Sequence, residues 1–257
     1  LMPPSFEEVV GNLSLVDVDR VEAVRDYYRY ELGKVLFSSA KLVYERLWAM
    51  ETHALDGQAF GRRKLRNTCL WSMMKADEQD TLPTCLKQFS SAKTMSDQLA
   101  SFNLLSQVND IKIREATSDS FYQQWAREDL VLDKWFSVQA SSEIPGVLNR
   151  VKALLKHPAF TNKNPNKVRA LIGCFVMNNP RHFHALDGSG YDFLLEQLAI
   201  IDRINPSIAA RLATPFTRWQ RFDLPRQALM KKVLIALDEL DLSRDLHEVV
   251  SKSLENN

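Results

Sequence analysis

Apolar residues recur every three or four positions along almost the whole chain. The pattern is clearest in segments 21–32, 35–47, 168–176 and 191–201, and no run of strand length alternates between apolar and polar positions. A repeat of this length places the apolar residues on one face of an α-helix. The sequence therefore predicts an all-α fold in which about a dozen short helices pack as antiparallel neighbours.

Asparagine–proline pairs mark helix starts in the C-terminal half. The pairs at 164–165, 179–180 and 205–206 each place a favourable N-cap before a proline, and the D-G-S-G turn at 187–190 precedes a further helix. Proline suits the first helical position because its missing N–H has no partner there. Short turns favour a two-layer right-handed superhelix of the armadillo or HEAT type. No long polar linker interrupts the chain, so we expect a single domain over residues 1–257.

Composition narrows the possible function classes. Hydrophobic residues make up 45% of the chain and charged residues 25%, which is ordinary for a globular protein. No apolar run reaches the length of a membrane span, so we expect no membrane partner. Cys69, Cys85 and Cys174 are too widely spaced for a metal or redox motif and are predicted to be buried reduced thiols. Reduced thiols favour a reducing compartment, so we expect a cytoplasmic protein.

Charge is distributed unevenly although the net charge is only +1. Residues 145–232 hold 14 Lys or Arg and 5 Asp or Glu. Such asymmetry is typical of a surface that attracts an acidic partner, and it also arises when solvated helix faces simply differ in sign. The arginines are spread along helices without a recognised nucleic-acid motif or a run of stacking aromatics. We therefore expect no nucleic-acid partner.

The candidate metal ligands do not form a site in the sequence. The segment H-E-V-V-S at 247–251 supplies one of the two imidazoles that a zinc helix needs. His182 and His184 would point about 200° apart on a helix. The acidic residues at 77–80 form a loose turn without the spacing of a calcium loop. We predict no catalytic residue and no metal ligand within the chain.

Two arginines are better candidates for a binding site. Arg169 lies in the first two turns of the helix opened by Pro165, and Arg211 lies at nearly the same depth in the helix opened by Pro206. Each is at the edge of an apolar stripe, where a guanidinium can offer two parallel hydrogen bonds to a carboxylate. The nearby helix N-terminus adds to the attraction. Ordinary surface or ion-paired arginines are the alternative interpretation.

Several sequence words, in order, resemble the C-terminal helical domain of the bacterial aminopeptidase N family, the zinc-dependent alanyl aminopeptidases of the gluzincin group. The words are K-L-R-N-T-C-L at 64–70, L-D-K-W-F at 132–136, N-P-N-K-V-R at 164–169, D-G-S-G-Y at 187–191 and N-P-S-I-A-A-R-L at 205–212. The resemblance implies an all-helical superhelix, with residues 1–19 connecting it to a preceding domain. The family's H-E-x-x-H and G-x-M-E-N motifs do not occur in these 257 residues. The resemblance thus implies that the chain alone is non-catalytic and that zinc is bound elsewhere in the full-length enzyme.

The resemblance also implies a function. The domain would cap the active-site cavity of a metalloaminopeptidase that removes N-terminal residues from peptides, with the catalytic domain of the same polypeptide and short peptides as partners. Aligning the N-P-N-x-x-R and N-P-x-x-A-x-R-L words makes Arg169 and Arg211 the expected substrate-binding residues. A free-standing helical-repeat adaptor that binds an acidic peptide or protein is the alternative, because the same architecture serves both purposes.

Overall fold

The computed structural model describes residues 2–51 and 54–255. Within these ranges the regular elements are helical, apart from one isolated bridge between Val16 and Phe222, in agreement with the predicted all-α class. None of the helices in the described ranges combines the length and apolar character that crossing a bilayer requires. The α-helices in chain order are α1 (Phe6–Val10), α2 (Val18–Ala49), α3 (Gly57–Ala76), α4 (Glu78–Ser91), α5 (Met95–Leu105), α6 (Ile111–Trp125), α7 (Asp129–Ala140), α8 (Val147–Leu154), α9 (Pro165–Val168), α10 (Cys174–Asn178), α11 (Pro180–Phe183), α12 (Ser189–Ile201), α13 (Pro206–Leu212), α14 (Leu224–Asp238) and α15 (Arg244–Glu255). A π-helical turn (Arg169–Gly173) joins α9 to α10, and a 3₁₀ segment (Thr214–Arg221) follows α13.

The described residues divide into two compact units. The first unit contains residues 2–5 and 23–128, and the second contains residues 6–22 and 129–255. Each unit has its own set of buried apolar side chains. Organisation of the whole sequence as one domain stays a prediction.

Helix α2, of 32 residues, contains both of the apolar stripes at 21–32 and 35–47. Gly33 lies between the two predicted stripes and is buried against α3. A Cβ atom at Gly33 would lie 2.8 Å from the backbone oxygen of Ser72 and 3.1 Å from Cβ of Ala76. Glycine is required there because the two helix backbones approach too closely for a larger side chain.

The acidic residues at 77–80 begin a helix that the apolar pattern did not reveal. The Asp77 side chain accepts a hydrogen bond from the Asp80 N–H at 3.0 Å and thereby caps α4. The Glu78 carboxylate accepts one from the Asn109 N–H at 3.2 Å. Acidic groups at a helix N-terminus are stabilised by the unpaired N–H groups and by the helix dipole, so their role here is structural.

The second unit is closed by the N-terminal segment of the chain. The Val16 N–H donates to the Arg221 carbonyl at 2.6 Å, and the Asp223 N–H donates to the Val16 carbonyl at 3.1 Å. The Arg221 guanidinium donates to the carbonyls of Val10 and Leu13 at 2.7 and 2.6 Å. The segment expected to connect the chain to a preceding domain therefore packs on this unit from α1 onward.

Two of the three asparagine–proline pairs act as predicted. The side chains of Asn164 and Asn205 accept hydrogen bonds from N–H groups two or three residues further on, and they cap α9 and α13. Asn179 makes no such bond; its Nδ2 donates to the carbonyls of Ala140 at 2.9 Å and Ser142 at 2.8 Å. This fully buried amide fastens the end of α7 to the start of α11, and the capping prediction for it was wrong.

Candidate functional site

Arg169 begins the π-helical turn. The Cys174 N–H donates to the Arg169 carbonyl, five residues earlier, which widens the helix locally. Such turns are rare and concentrate at functional sites. The Arg169 side chain is exposed, and its Nη1 donates to Oδ1 of Asn166 at 3.3 Å. The apolar residues that follow are buried, so this arginine lies at the edge of the apolar face, as the sequence predicted.

Arg211 lies on α13 with its side chain exposed. Ile208 and Leu212 on the same helix are buried, which orients the helix with Arg211 toward solvent. The guanidinium forms no ion pair within the part of the chain that the structure describes. An unpaired guanidinium on a fixed helix keeps its donors available for a carboxylate or a peptide carbonyl.

The π-helical turn packs beside α13. A Cβ atom built on Gly173 would lie 3.6 Å from Cδ2 of Leu212 and 3.9 Å from Cβ of Arg169. The Leu212 side chain, next to Arg211, therefore packs beside the turn that Arg169 begins.

A groove of about 570 Å³ runs beside Arg211. One wall is formed by α13 with the 3₁₀ segment, and the other is formed by α15. The lining residues are Ser207, Ala210, Arg211, Thr214 and Thr217 on the first wall and Asp245, Glu248, Val249, Lys252 and Ser253 on the second. Most of these side chains are small or polar, so the groove offers space and hydrogen-bonding groups to an extended polar chain. Arg169 is not among the lining residues.

The charges along the groove are partly compensated. Lys252 donates a hydrogen bond to Glu248, which lowers the pKa of Glu248 and raises that of Lys252. Arg211 and Asp245 have no ion-pair partner among the described residues. The groove therefore presents one uncompensated positive group on its first wall and one uncompensated negative group on its second.

Other basic residues of the C-terminal half serve the fold. Lys167 is buried, and its Nζ lies 2.9 Å from Oδ1 of Asp133 and donates to the Asp129 carbonyl at 3.0 Å. Arg226 is buried and ion-paired with Asp223 at 2.7 Å. Sequence reasoning missed the role of Lys167, although two aspartates four residues apart on one helix are a signal for a partner of opposite charge.

The histidines that the structure describes do not belong to a cluster of possible metal ligands. His184 is buried, with Nδ1 2.9 Å from the Tyr191 hydroxyl, and burial lowers its pKa to about 3. His182 contacts the backbone oxygen of Glu143 at 3.0 Å. Among residues 2–51 and 54–255 no group of three His, Cys, Asp or Glu side chains could hold a metal ion. The donor groups in these described ranges therefore do not fit a zinc ion.

The three thiols are buried, as the sequence predicted. Burial raises the pKa of the Cys69 and Cys174 thiols and raises that of Cys85 to about 12. Protonated, enclosed thiols are poor nucleophiles and poor metal ligands. They are part of the core.

Comparisons with known proteins cover nearly the whole chain. A family model described as "Domain of unknown function (DUF3458_C) ARM repeats" matches residues 1–255. "Aminopeptidase N" of Escherichia coli is 35% identical over 98% of this chain and 29% of its own length, and "Aminopeptidase N" of Haemophilus influenzae is 32% identical over the same shares. A crystal structure of Legionella pneumophila aminopeptidase A in complex with aspartic acid matches with a TM-score of 0.88 at 29% identity, over 100% of this chain and 31% of that chain.

These matches extend the structural evidence. The chain spans less than a third of the length of the curated relatives that it matches. The repeat description agrees with the helices observed here and confirms the all-α, armadillo-like class. The resemblance to aminopeptidase N is also confirmed. The chain belongs to the DUF3458_C family of armadillo-repeat domains.

Proposed function

We propose that this chain is the C-terminal helical domain of a zinc metalloaminopeptidase that removes N-terminal residues from peptides. One observation carries the proposal: 98% of the chain aligns with "Aminopeptidase N" of Escherichia coli, yet the alignment spans only 29% of that relative. A domain-sized share of an enzyme is the simplest account of these numbers. The catalytic domain and its zinc then belong to the remainder of the same polypeptide, since the described donor groups cannot form a metal site.

The role that we assign to the domain is a cap. A wall of packed helices over a catalytic cleft excludes folded proteins and admits thin, extended peptides. The domain then determines which peptides reach the cleft and holds the part beyond the bond that is cleaved. Its partners are the catalytic domain and short peptide substrates, and the enzyme acts in the cytoplasm.

Arg211 and Arg169 are the residues that we assign to peptide binding. Both guanidinium groups are exposed on the second unit, and Arg211 lines a groove with space for an extended peptide. A guanidinium can bind the C-terminal carboxylate of a short peptide, or a backbone carbonyl of a longer one, through parallel N–H groups. A charged hydrogen bond of this kind contributes about 1.5–3 kcal/mol.

The test is a pair of substitutions in the full-length polypeptide. Arg211→Ala and Arg169→Ala should each raise KM for tri- and tetrapeptides about tenfold or more, because the loss of about 1.5–3 kcal/mol corresponds to a factor of at least about ten. Neither should change kcat/KM for an amino-acid p-nitroanilide, which has no downstream peptide. Steady-state kinetics with both substrate classes measures the difference.

Arg203→Ala is the matched control. Arg203 is exposed in the same unit, immediately before α13, and it does not line the groove. Its removal should leave KM for tetrapeptides unchanged. Unaltered tetrapeptide kinetics in both the Arg211 and Arg169 variants would refute the binding role. A full-length polypeptide without peptidase activity would refute the enzyme assignment and favour the adaptor.

A further inference from the structure

Helix α2 carries a row of exposed apolar side chains on the side opposite its packed face, with Glu31 and Ser38 between them. Val24, Val35 and Leu42 are 66%, 80% and 69% exposed. At 100° per residue these three side chains lie within about 20° of one line along the helix. Gly33, which contacts α3, lies about 180° around the helix from Val24. Rotation of α2 therefore cannot bury both faces against α3.

This face, defined here as the α2 stripe, is also wide. Tyr27 and Tyr28 flank Val24 and are 68% and 50% exposed. From Val24 to Leu42 the stripe extends about 27 Å at 1.5 Å per residue. Tyrosines around an aliphatic centre are the composition that protein interfaces favour. Exposed apolar residues scattered singly need no explanation, but an aligned set of five on one helix indicates a surface that another element covers.

The repeat architecture indicates what kind of element covers the stripe. In a helical array each repeat buries its apolar faces against its neighbours, and a terminal repeat presents a polar outer face. The outer face of α2 also carries the polar residues Glu31, Ser38 and Arg46, but its five exposed apolar or aromatic side chains are more than a terminal repeat normally leaves to solvent. Tyr28, Val35 and Leu42 recur at intervals of seven residues, and a seam with this period accepts the side chains of a second, nearly parallel or antiparallel helix.

We propose that the α2 stripe is an interface between repeats, covered by an amphipathic helix of the same polypeptide that lies outside residues 1–257. The relatives contain such additional chain, because this sequence spans only 29% of their length. The five exposed side chains offer on the order of 500–600 Å². That area suits an interface between parts of one chain and falls short of the roughly 800 Å² per partner of a stable dimer. The inference does not depend on peptidase activity.

Photo-crosslinking in the full-length polypeptide tests the proposal. The substitution Val35→p-benzoylphenylalanine should give an intramolecular crosslink, located by mass spectrometry, to a segment outside these residues whose apolar positions repeat every three or four residues. The same substitution at Leu130 is the control, because that apolar side chain is 72% exposed on the short helix α7. A crosslink between two copies, or a crosslink to a segment without helical periodicity, would overturn the proposal. The absence of a crosslink at position 35 would overturn it together with equal unfolding temperatures in the second measurement.

A second measurement guards against an unproductive crosslinker geometry. In the full-length polypeptide, Leu42→Asp should lower the unfolding temperature by about 3 °C or more, because it places a charge in a covered apolar seam. Leu130→Asp should change that temperature by less than about 1 °C, since both residues are similarly exposed in these 257 residues, at 69% and 72%. Equal unfolding temperatures for the two variants would show that the α2 stripe faces solvent.

Discussion

Basic residues that are close together in the sequence can differ strongly in solvent exposure. Lys167 and Arg169 are two positions apart, yet the first is 3% exposed and ion-paired while the second is exposed. Both lie near the start of the same helical stretch, so the helix dipole acts on both. Their surroundings differ because Lys167 faces the carboxylates of α7. A buried charge needs partners, and an exposed one keeps its donors available for a ligand.

Arg226 is a buried cation that is bonded through all three of its guanidinium nitrogens. Its Nη2 lies 2.9 Å from the Asp19 carboxylate, its Nη1 lies 2.7 Å from Asp223, and its Nε donates to the His184 carbonyl at 2.7 Å. These bonds compensate the desolvation of the guanidinium and join α14 to two other parts of the chain. Removal of Arg226 would therefore leave its buried acceptors without hydrogen-bond donors.

Replacing Arg226 with methionine should destabilise the fold by about 3 kcal/mol, because the half-buried Asp223 carboxylate and the His184 carbonyl lose their donors. Urea unfolding monitored by circular dichroism measures the change. Arg203→Met, an exposed position, should shift the free energy of unfolding by less than about 0.5 kcal/mol. An equally small effect of Arg226→Met would contradict the structural role.

The elements around the candidate site depart from regular α-helix. Apolar residues at positions 208, 212, 216 and 219 have the spacing of one α-helix, but α13 ends at Leu212 and a 3₁₀ segment follows. Pro215 has no N–H to continue the α-helical bonds, and Arg218 has a φ of −118° within the segment. The π-helical turn at Arg169 departs from α-helix in the opposite direction, since it is wider. Together they determine which side chains of each stripe face solvent.

The junction between α11 and α12 depends on a glycine. A Cβ atom built on Gly190 would collide with the carbonyl group of Phe183 and would lie 2.8 Å from the Phe183 Cα atom. The backbone cannot yield as a flexible side chain could, so the start of α12 would have to shift. The aromatic side chains of Phe183 and Tyr191, whose ring centroids are 5.3 Å apart, would shift with it.

Gly190→Ala should lower the free energy of unfolding by about 3 kcal/mol, the upper end of the range for overpacking. Gly57→Ala is the matched control, since a Cβ atom there meets no atom within 4 Å and the position has ordinary helical geometry at the start of α3. That variant should be unchanged or more stable by up to about 1 kcal/mol. Chemical denaturation of both proteins distinguishes the cases, and equal stabilities would show that the junction tolerates the methyl group.

At the scale of the whole molecule, the second unit brings residues 16–19 into contact with residues 222–226. Asp19 pairs with Arg226 across 207 positions, and Val16 bridges to Phe222. His184 lies inside this junction, stacked on the Phe222 ring at 4.5 Å. Burial of the His184 ring disfavours its protonated form, and repulsion by the neighbouring Arg226 guanidinium lowers the pKa of His184 further.

The pH dependence of stability follows from this burial. The pKa of His184 is about 3 in the folded protein and about 6.5 in the unfolded chain, so only the unfolded chain binds the proton between these values. The stabilising contribution is present above pH 6.5 and is lost as pH falls toward 3, with a slope of up to about 1.4 kcal/mol per pH unit. Urea unfolding at pH 7.0, 6.0 and 5.0 should show this decline, and His184→Gln should show a smaller slope. Parallel curves for the two proteins would assign the acid sensitivity to other groups.

Much of the fold could be predicted from the sequence because helix formation is local. Apolar spacing indicated the all-α class, and the caps at Asn164 and Asn205 were identified correctly because each acts within three residues of itself. Helix α4 was missed because its start is acidic and it contains Pro83. For the candidate site, the sequence supplied Arg169 and Arg211, whose role stays a prediction. It did not supply the groove, because α15 forms the second wall from a distant part of the chain.

By itself the sequence determined the helical class, the helix starts at Asn164 and Asn205, and the family, since these depend on neighbouring residues and on sequence words that can be compared directly. Only the tertiary structure decided which cations are structural and which are available, because their partners are remote. Lys167 finds an acceptor 38 positions away and Arg226 finds one 207 positions away. The same is true of Gly33, where a side chain is excluded because the backbone of α3 lies too close. Local periodicity contains no information about such contacts, because they are formed only when distant parts of the chain pack together.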